Sequence, residues 1–542
     1  MKLRLRLLYI ILRNEFKELL ILLKNLTRRK KLKSNDFQSY LELNETLWNK
    51  KNDFQKNKIL INLYYPNPSY TIPNIILGKY LEELYNYECV ALLKENDYLS
   101  LKLLKSFKIK KYIILKNQNF LNRVKYTFQA LKILRNINTI KDLLNFKKYK
   151  IDFGKIIYDH YIRNECVGTI NHIDEKFVLI LSKALYNYEL SQNFFSKHKF
   201  EYFIQSEKHW VPANIFFQNA LLKNIKILSR IGNKNNFGVR LYKDYLKNYL
   251  NKNKISNTLF KNFIKNKEIN NQLFEISNDL INERFGEYSS KKINLDLKVS
   301  FCDFYKLDSK KPIVCIFSNN IIDGIFSNEW SIFKDNMTWL KSLIKEIKLI
   351  DDVNWLIKSH PSETINRKMI RTLDVINSLE YNKKNNIIFV DDNSKFKDQI
   401  HQIINVAISA HGSVAMEYPA IGIPCVIAGD AFCSGKGFTI EPNNVDEYFK
   451  IIKDIKNIQF LDDATIHKAR IFWAIYERGI KSTMNIFPNN LQEKKNIWPI
   501  LTDKILKYKN NLNKNNDLNI FQKNLKFQID NQNRHLINEK FV

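Results

Sequence analysis

From about residue 56 onward, short runs of consecutive apolar residues alternate with stretches whose apolar positions recur every three or four residues. Ile59 to Leu63, Cys89 to Leu93 and Tyr112 to Leu115 read as buried strands, and Asn74 to Tyr85 as a helix. This alternation predicts a parallel sheet covered by helices on both faces. It continues with strands at Gly154 to Tyr158 and Phe200 to Ser206 and a helix over Ile215 to Leu228. A polar, Lys/Asn-rich stretch over 240–295 reads as the end of one domain and a connector. A second alternation opens at Pro312 to Phe317 and runs through a helix at Thr338 to Ile347. Strands at Asn354 to Lys358, Ile387 to Val390, Val406 to Ser409 and Pro424 to Ala428 follow, then a helix over Thr465 to Ile480.

The pattern predicts an α/β chain with two Rossmann-like domains. The boundaries read as a basic helical arm over 1–55, an N-terminal domain over 56–275, a connector over 276–311, a second domain over 312–485, and a weakly packed polar tail over 486–542. Ligands of open α/β sheets bind beyond the carboxyl ends of the strands, so two such domains are expected to face each other across a cleft. Within the arm, Leu8, Leu12, Phe16, Leu19, Leu20, Leu23 and Leu26 follow helical spacing, with Arg6, Arg13, Lys17 and Lys24 between them. Eleven Lys/Arg against two Glu give residues 1–33 a charge of +9. Such a helix suits an anionic membrane surface, and it equally suits packing against its own domain.

The whole chain carries 87 basic and 55 acidic residues, a net +32, which points to anionic partners without choosing among nucleic acid, membrane and phosphorylated substrate. A general Lys/Asn/Ile bias explains part of the excess as well. The basic residues are spread along the chain and no nucleic-acid motif appears, so a nucleic-acid-binding protein is the competing reading from another class. The six Cys, at 89, 166, 302, 315, 425 and 433, form no C-x-x-C pair, so neither a metal site nor a disulfide framework is signalled. No apolar run reaches the roughly 18 residues of a membrane span, and a cytoplasmic protein is expected.

Glycine locates the chemistry. Five of the 13 Gly fall between 412 and 437: Gly412, Gly422, Gly429, Gly435 and Gly437. Glycine permits the positive φ and close backbone approach that a phosphate-cradling turn needs, although ordinary βα turns use it too. The strand ending at Ser409 leads into His411-Gly412-Ser413 and then a helix with Glu417 on the same face as Ser413, placed to accept from ribose hydroxyls. The strand ending at Lys358 leads into His360-Pro361, an extended turn that suits an imidazole donating to phosphate.

The stretches KSHPSE, SAHGSVAMEYPAIGIPCVIAG and DAFCSGKGFT together resemble the nucleotide-sugar half of a GT-B glycosyltransferase, specifically the bacterial capsule polysaccharide synthesis family. The resemblance spans about 312 to 442. It implies that His360, Pro361, His411, Gly412, Ser413 and Glu417 hold the nucleotide and its phosphate, and that a loop with Ser434, Lys436, Gly437 and Thr439 closes over the sugar. Gly154 to Arg163 resembles, more loosely, an acceptor-side segment of related surface-carbohydrate transferases.

What the resemblance implies is transfer of a sugar from a CMP- or UDP-linked donor to a glycan or lipid-linked acceptor in capsule or lipopolysaccharide-type assembly, with no cofactor or metal. The alternatives on the same fold are nucleotide-linked polyol-phosphate transfer and UDP-sugar epimerisation. Retaining members often carry a second acid eight residues after the helix Glu; Cys425 stands there, which favours inversion. His360 and Lys436 are expected to offset the leaving phosphate's charge. Asp159 or His160 is expected to take the acceptor proton from the N-terminal domain, with Arg163 orienting an anionic acceptor or pairing with Asp159. The peripheral, cytoplasmic face of a membrane is the expected location.

Overall fold

The computed structural model describes residues 34–541 apart from 49–56, 65–66, 233–234, 245–253, 287–292, 329–330, 366–369, 382–383, 392, 488–496 and 511–516. It also describes Tyr9, Leu12, Phe16 and Leu20, which are helical; the other residues of 1–33 lie outside the described residues, whereas Asn35–Leu47, read as part of the arm, is a helix whose Phe37 and Tyr40 enter the unit 1 core. The chain forms two compact units, each discontinuous in sequence. Unit 1 comprises Met1–Ile157, Ile173–Leu250 and Arg478–Val542, and unit 2 comprises Tyr158–His172 and Asn251–Glu477.

Unit 1 is built on strands β1 (Lys58–Asn62), β2 (Glu88–Lys94), β3 (Lys111–Leu115), β4 (Tyr202–Ile204), β5 (Lys226–Ile231), β6 (Asn236–Tyr242) and β12 (Ser482–Thr483), in the spatial order β12-β6-β5-β4-β1-β2-β3. The run β5 to β3 is parallel, and β6 and β12 join antiparallel. In β1 the period of two divides the apolar run between the faces. Ile59 and Ile61 enter one core and Leu60 the other, all of them fully buried. Each such side chain contributes about 1.5–3 kcal/mol, which is why a central parallel strand reads as an unbroken apolar run.

Unit 2 has an all-parallel sheet of β7 (Ile313–Phe317), β8 (Asn354–Lys358), β9 (Ile387–Val390), β10 (Val406–Ser409) and β11 (Cys425–Ile427), ordered β11-β10-β7-β8-β9. The chain winds outward from β7 through β8 and β9, then returns to β10 on the other side of β7. The order therefore reverses between β7 and β10, the position where open α/β sheets form a crevice. Both units are doubly wound α/β folds, as the alternation predicts.

Four expectations are corrected. Gly154 to Tyr158 is not a strand but part of a helix, Phe153–Glu165. Its buried residues Phe153, Ile157 and Tyr161, with Ile156 and Ile162 beside them, follow a helical period that a five-residue window hides. Gly154 is required there, because a Cβ would lie 1.6 Å from the Leu143 carbonyl oxygen. The helix expected over Ile215 to Leu228 stops at Leu222, and β5 begins at Lys226. The stretch over 240–295 is no connector, since it supplies helices Asn257–Lys265 and Lys267–Phe285 to unit 2. Nor is 486–542 a weakly packed tail. Helix Asp517–Asp530 buries Leu518, Phe521, Leu525 and Ile529, at helical spacing, in the same core as Ile59 and Ile61.

Among the described residues no helix is long and apolar enough to cross a membrane, and no group of three or more His, Cys, Asp or Glu is arranged to hold a metal ion. All six cysteines are free thiols.

Candidate functional site

The carboxyl ends of β7, β8 and β10 carry the polar residues of unit 2. Asn319, two residues beyond β7, is buried and bridges the point where the strand order reverses. Its Oδ1 accepts from the Ala410 N–H at 3.1 Å and from the Ser409 hydroxyl at 3.1 Å, and its Nδ2 donates to the His411 carbonyl oxygen at 2.7 Å. One amide thus clamps the turn after β10 onto the end of β7. That turn needs Gly412, whose φ is +120°, a conformation closed to most side chains.

His360 follows β8 at the adjoining strand end. Its Nδ1 accepts from the Ser362 backbone N–H at 3.1 Å and lies 2.7 Å from the Ser362 hydroxyl. An Nδ1 that accepts leaves the neutral ring's proton on Nε2. Burial pushes the His360 pKa below the ordinary histidine value, against the pull of the neighbouring Asp323 and Glu363 carboxylates and with a further push from His411. Glu363 stiffens this end, taking the Thr372 N–H at 2.9 Å and its hydroxyl at 2.6 Å.

Glu417 ends the short helix Val414–Glu417 that follows Ser413. Its carboxylate is buried and paired with Arg284, whose Nε lies 2.9 Å from Oε2. Burial acts to lower the Arg284 pKa, but the Glu417 carboxylate outweighs it and the net shift is upward. Arg284 is the penultimate residue of helix Lys267–Phe285, and the last, Phe285, packs on Tyr418 and His401 with ring centroids 5.6 and 5.0 Å away.

The glycine-rich loop is closed on itself. Gly435 and Gly437 have φ of +75° and +80°, the Gly435 N–H donates to both Glu441 carboxylate oxygens at 3.1 Å, and the Thr439 hydroxyl donates to Oε1 at 2.5 Å. The Ser434 hydroxyl accepts from the Ala431 N–H at 3.0 Å. Lys436 is buried, with Nζ bonded to Asn257 Oδ1 at 2.7 Å and to the Ser434 carbonyl at 3.3 Å. Burial lowers its pKa and Lys254 adds to the shift. Lys436 therefore belongs to a cluster with Asn257 and Lys254, not to the group around His360 and His411.

The acceptor-side candidates also sit elsewhere than expected. Tyr158 to Arg163 belong to unit 2. Asp159 is 1% exposed, and its Oδ1 accepts from the Phe326 N–H at 3.4 Å. A Cβ on Gly324 would lie 2.7 Å from its Cγ. Arg163 pairs with Asp323 at 3.2 Å. Tyr158 donates to Asp335 at 2.6 Å, and Asp335 in turn caps helix Asn336–Ile347 through the Thr338 N–H. The half-buried His160 lies on the same helix. This segment holds the loop that follows β7. It is not the carboxyl end of a strand in the other unit.

Asn319, Asp323 and Arg284 were not singled out from sequence. For the first two a signal existed: Ser318-Asn319-Asn320 and Asp323-Gly324 directly follow a predicted strand of an α/β unit, where functional groups collect. For Arg284, 133 residues from its partner, there was none.

Neither a protein-family profile nor a curated protein sequence matches the chain. Among solved structures it is similar to a KpsC beta Kdo 2,7 transferase of Thermosulfurimonas dismutans, with a TM-score of 0.30 and 11% identity over 59% of this chain and 89% of that one. It is similar to an α,α-trehalose 6-phosphate synthase of Burkholderia multivorans, with a TM-score of 0.29 and 9% identity over 84% and 99%. It is likewise similar to S. aureus MnaA in a co-structure with UDP, with a TM-score of 0.25 and 11% identity over 84% and 97%.

Proposed function

We propose that the chain is a GT-B glycosyltransferase that moves a sugar from a nucleotide-sugar donor to a growing cell-surface glycan, with the donor held at the carboxyl edge of the unit 2 sheet. The observation that carries this reading is the placement of His360 and His411 just beyond the carboxyl ends of β8 and β10, the two strands that flank β7 at the strand-order reversal, on turns fixed by Asn319, Ser362 and Gly412. A neutral His360 with its proton on Nε2 donates to a phosphate oxygen and stabilises the charge that develops as the nucleotide leaves. The motif resemblance around both histidines supports the same assignment.

The reaction is inverting on this reading. The position eight residues after Glu417 holds Cys425, a fully buried thiol whose pKa burial raises, so no second carboxylate is supplied there. Asp159 acts as a positioning residue for the loop containing Gly324, and His160 becomes the candidate for taking the acceptor's proton. The exposed Tyr9, Leu12, Phe16 and Leu20, spaced three, four and four residues apart in a helix, support attachment of the arm to an anionic membrane, where a lipid-linked acceptor would reside.

The test is thermal unfolding with CMP, UDP, GDP and CDP. A ligand that binds only the folded chain raises its midpoint, by about 2.7 kcal/mol of added stability at 100 times Kd. One nucleotide is expected to stabilise the parent and not His360→Ala, with both proteins folded alike in its absence. Equal stabilisation of the two would remove His360 from the donor site, and no stabilisation by any nucleotide would remove the proposed function.

A further inference from the structure

A cavity of about 700 Å³ opens at the edge of the unit 1 sheet opposite to the carboxyl ends of its parallel strands. Lys58 begins β1, Lys111 begins β3, Lys110 precedes it, and Lys197 and Lys199 lie on the segment that leads into β4; all five line the cavity. No carboxylate lines it. Among the described residues only Lys111 of the five has an acidic partner, Glu88. Glu201, the other carboxylate near this edge, is paired with Lys226 at 2.8 Å. The volume lies within the about 300–1,000 Å³ of small-ligand sites.

We propose that this cavity binds a phosphoryl group. Five like charges drawn from three separate chain segments repel one another, and an anion among them removes that repulsion. Lysine is a point-charge phosphate binder with three donors, and it needs no fixed fork geometry to act from several directions. The rest of the lining is apolar and aromatic: Tyr112, 43% exposed, Ile113 and Phe200, with the His198 ring 6.2 Å from that of Phe200. The ligand therefore has a phosphate end and an apolar or ring-bearing portion. A phospholipid headgroup and a soluble phosphate ester share this chemistry. The site belongs to unit 1, whereas the proposed donor site belongs to unit 2, and it does not depend on the proposed transferase activity.

The test uses inorganic pyrophosphate as probe, titrated into the full chain carrying His360→Ala, so that the proposed donor edge contributes nothing, with sodium chloride at matched ionic strength as control. Pyrophosphate is expected to raise the unfolding midpoint more than the chloride does. Adding Lys110→Gln and Lys199→Gln, both exposed and outside the core, is expected to weaken binding at least tenfold. In the parent background the same pair of substitutions is expected to leave nucleotide stabilisation unchanged, which separates failure here from failure of the donor site. Co-sedimentation with phosphatidylglycerol vesicles, with Leu12→Glu and Phe16→Glu present in parent and double variant alike so that the arm contributes nothing, distinguishes the sources. Loss of vesicle binding along with pyrophosphate binding in the double variant assigns a lipid headgroup, and vesicle binding equal to the parent's assigns a soluble phosphate. Stabilisation by pyrophosphate no greater than by chloride, or equal pyrophosphate affinity with and without the two lysines, overturns the proposal.

Discussion

Replacing Asn319 by Ala should both destabilise unit 2 and weaken its hold on nucleotide. The side-chain hydrogen bonds of Asn319 differ in what their loss leaves behind. The Ser409 hydroxyl also reaches the His411 carbonyl at 2.8 Å, so that pair partly re-forms without the amide. The Ala410 N–H has no such fallback: it is buried, and Asn319 Oδ1 is its acceptor. An orphaned buried N–H costs about 1–3 kcal/mol, and the bond lost to the His411 carbonyl about 1 more, giving about 3 kcal/mol in all. For a unit of this size each kcal/mol moves the midpoint by about 2–4 °C, so a fall of about 6–12 °C is expected in a calorimetric scan. Nucleotide stabilisation should shrink at the same time, because the His411-Gly412 turn loses the anchor that fixes its position. A midpoint within about 2 °C of the parent, with nucleotide binding intact, would refute the view that this amide clamps the strand-order reversal.

Gly324→Ala should cost about 1–3 kcal/mol through overpacking against Asp159. Combining it with Asp159→Ala should cost less than the two changes summed, as a denaturant-melt double-mutant cycle would show. His401 is held at a pKa of about 4 against the ordinary 6.5, with burial the leading cause. The native state then binds fewer protons than the unfolded chain. The His401 contribution is therefore complete above pH 6.5, declines as pH falls towards about 4 and levels off below, so His401→Phe should flatten that part of a stability–pH profile from urea melts. Leu12→Glu with Phe16→Glu should reduce co-sedimentation with phosphatidylglycerol vesicles, while undiminished binding would exclude the arm as the membrane contact.

The strands buried on both faces were the most legible part of the fold. Asn354 to Lys358 and Val406 to Ser409, each flanked by a strand on both sides, have the limits read from sequence because their interiors are unbroken apolar runs, and the edge strand Ile387 to Val390 has them too, its four apolar residues being bounded by Asn386 and Asp391. Gly154 to Tyr158 failed for the opposite reason: five apolar-rich residues fit both periods, and only the continuation to Tyr161 and Ile162 decides for a helix. Helix Asp517–Asp530 was obscured by composition, since its four core residues stand among Lys, Asn and Gln. In the site, the histidines and Gly412 were visible because strand ends and glycines punctuate the sequence. The residue that holds the turn after β10, Asn319, is an ordinary polar residue whose importance depends on which strands become neighbours. Lys436 shows the converse, a basic residue in a motif-like loop whose amine is taken up by Asn257.

The division of each unit among separate stretches of chain sets an order of events during synthesis. Domains commonly fold as they emerge, the first-made before the later. Here every residue of unit 2 has been made once Glu477 is added, whereas unit 1, although it contains the first strand, still lacks Arg478–Val542. Until helix Asp517–Asp530 arrives, Phe237 of β6 lacks Phe521, which packs edge-on against it, and Ser482 of β12 lacks Asn524. The unit begun first is thus the one completed last. A nascent chain halted near residue 480 would present a finished unit 2 and a unit 1 whose core still lacks Leu518, Phe521, Leu525 and Ile529, an exposed apolar surface of the kind that chaperones shield.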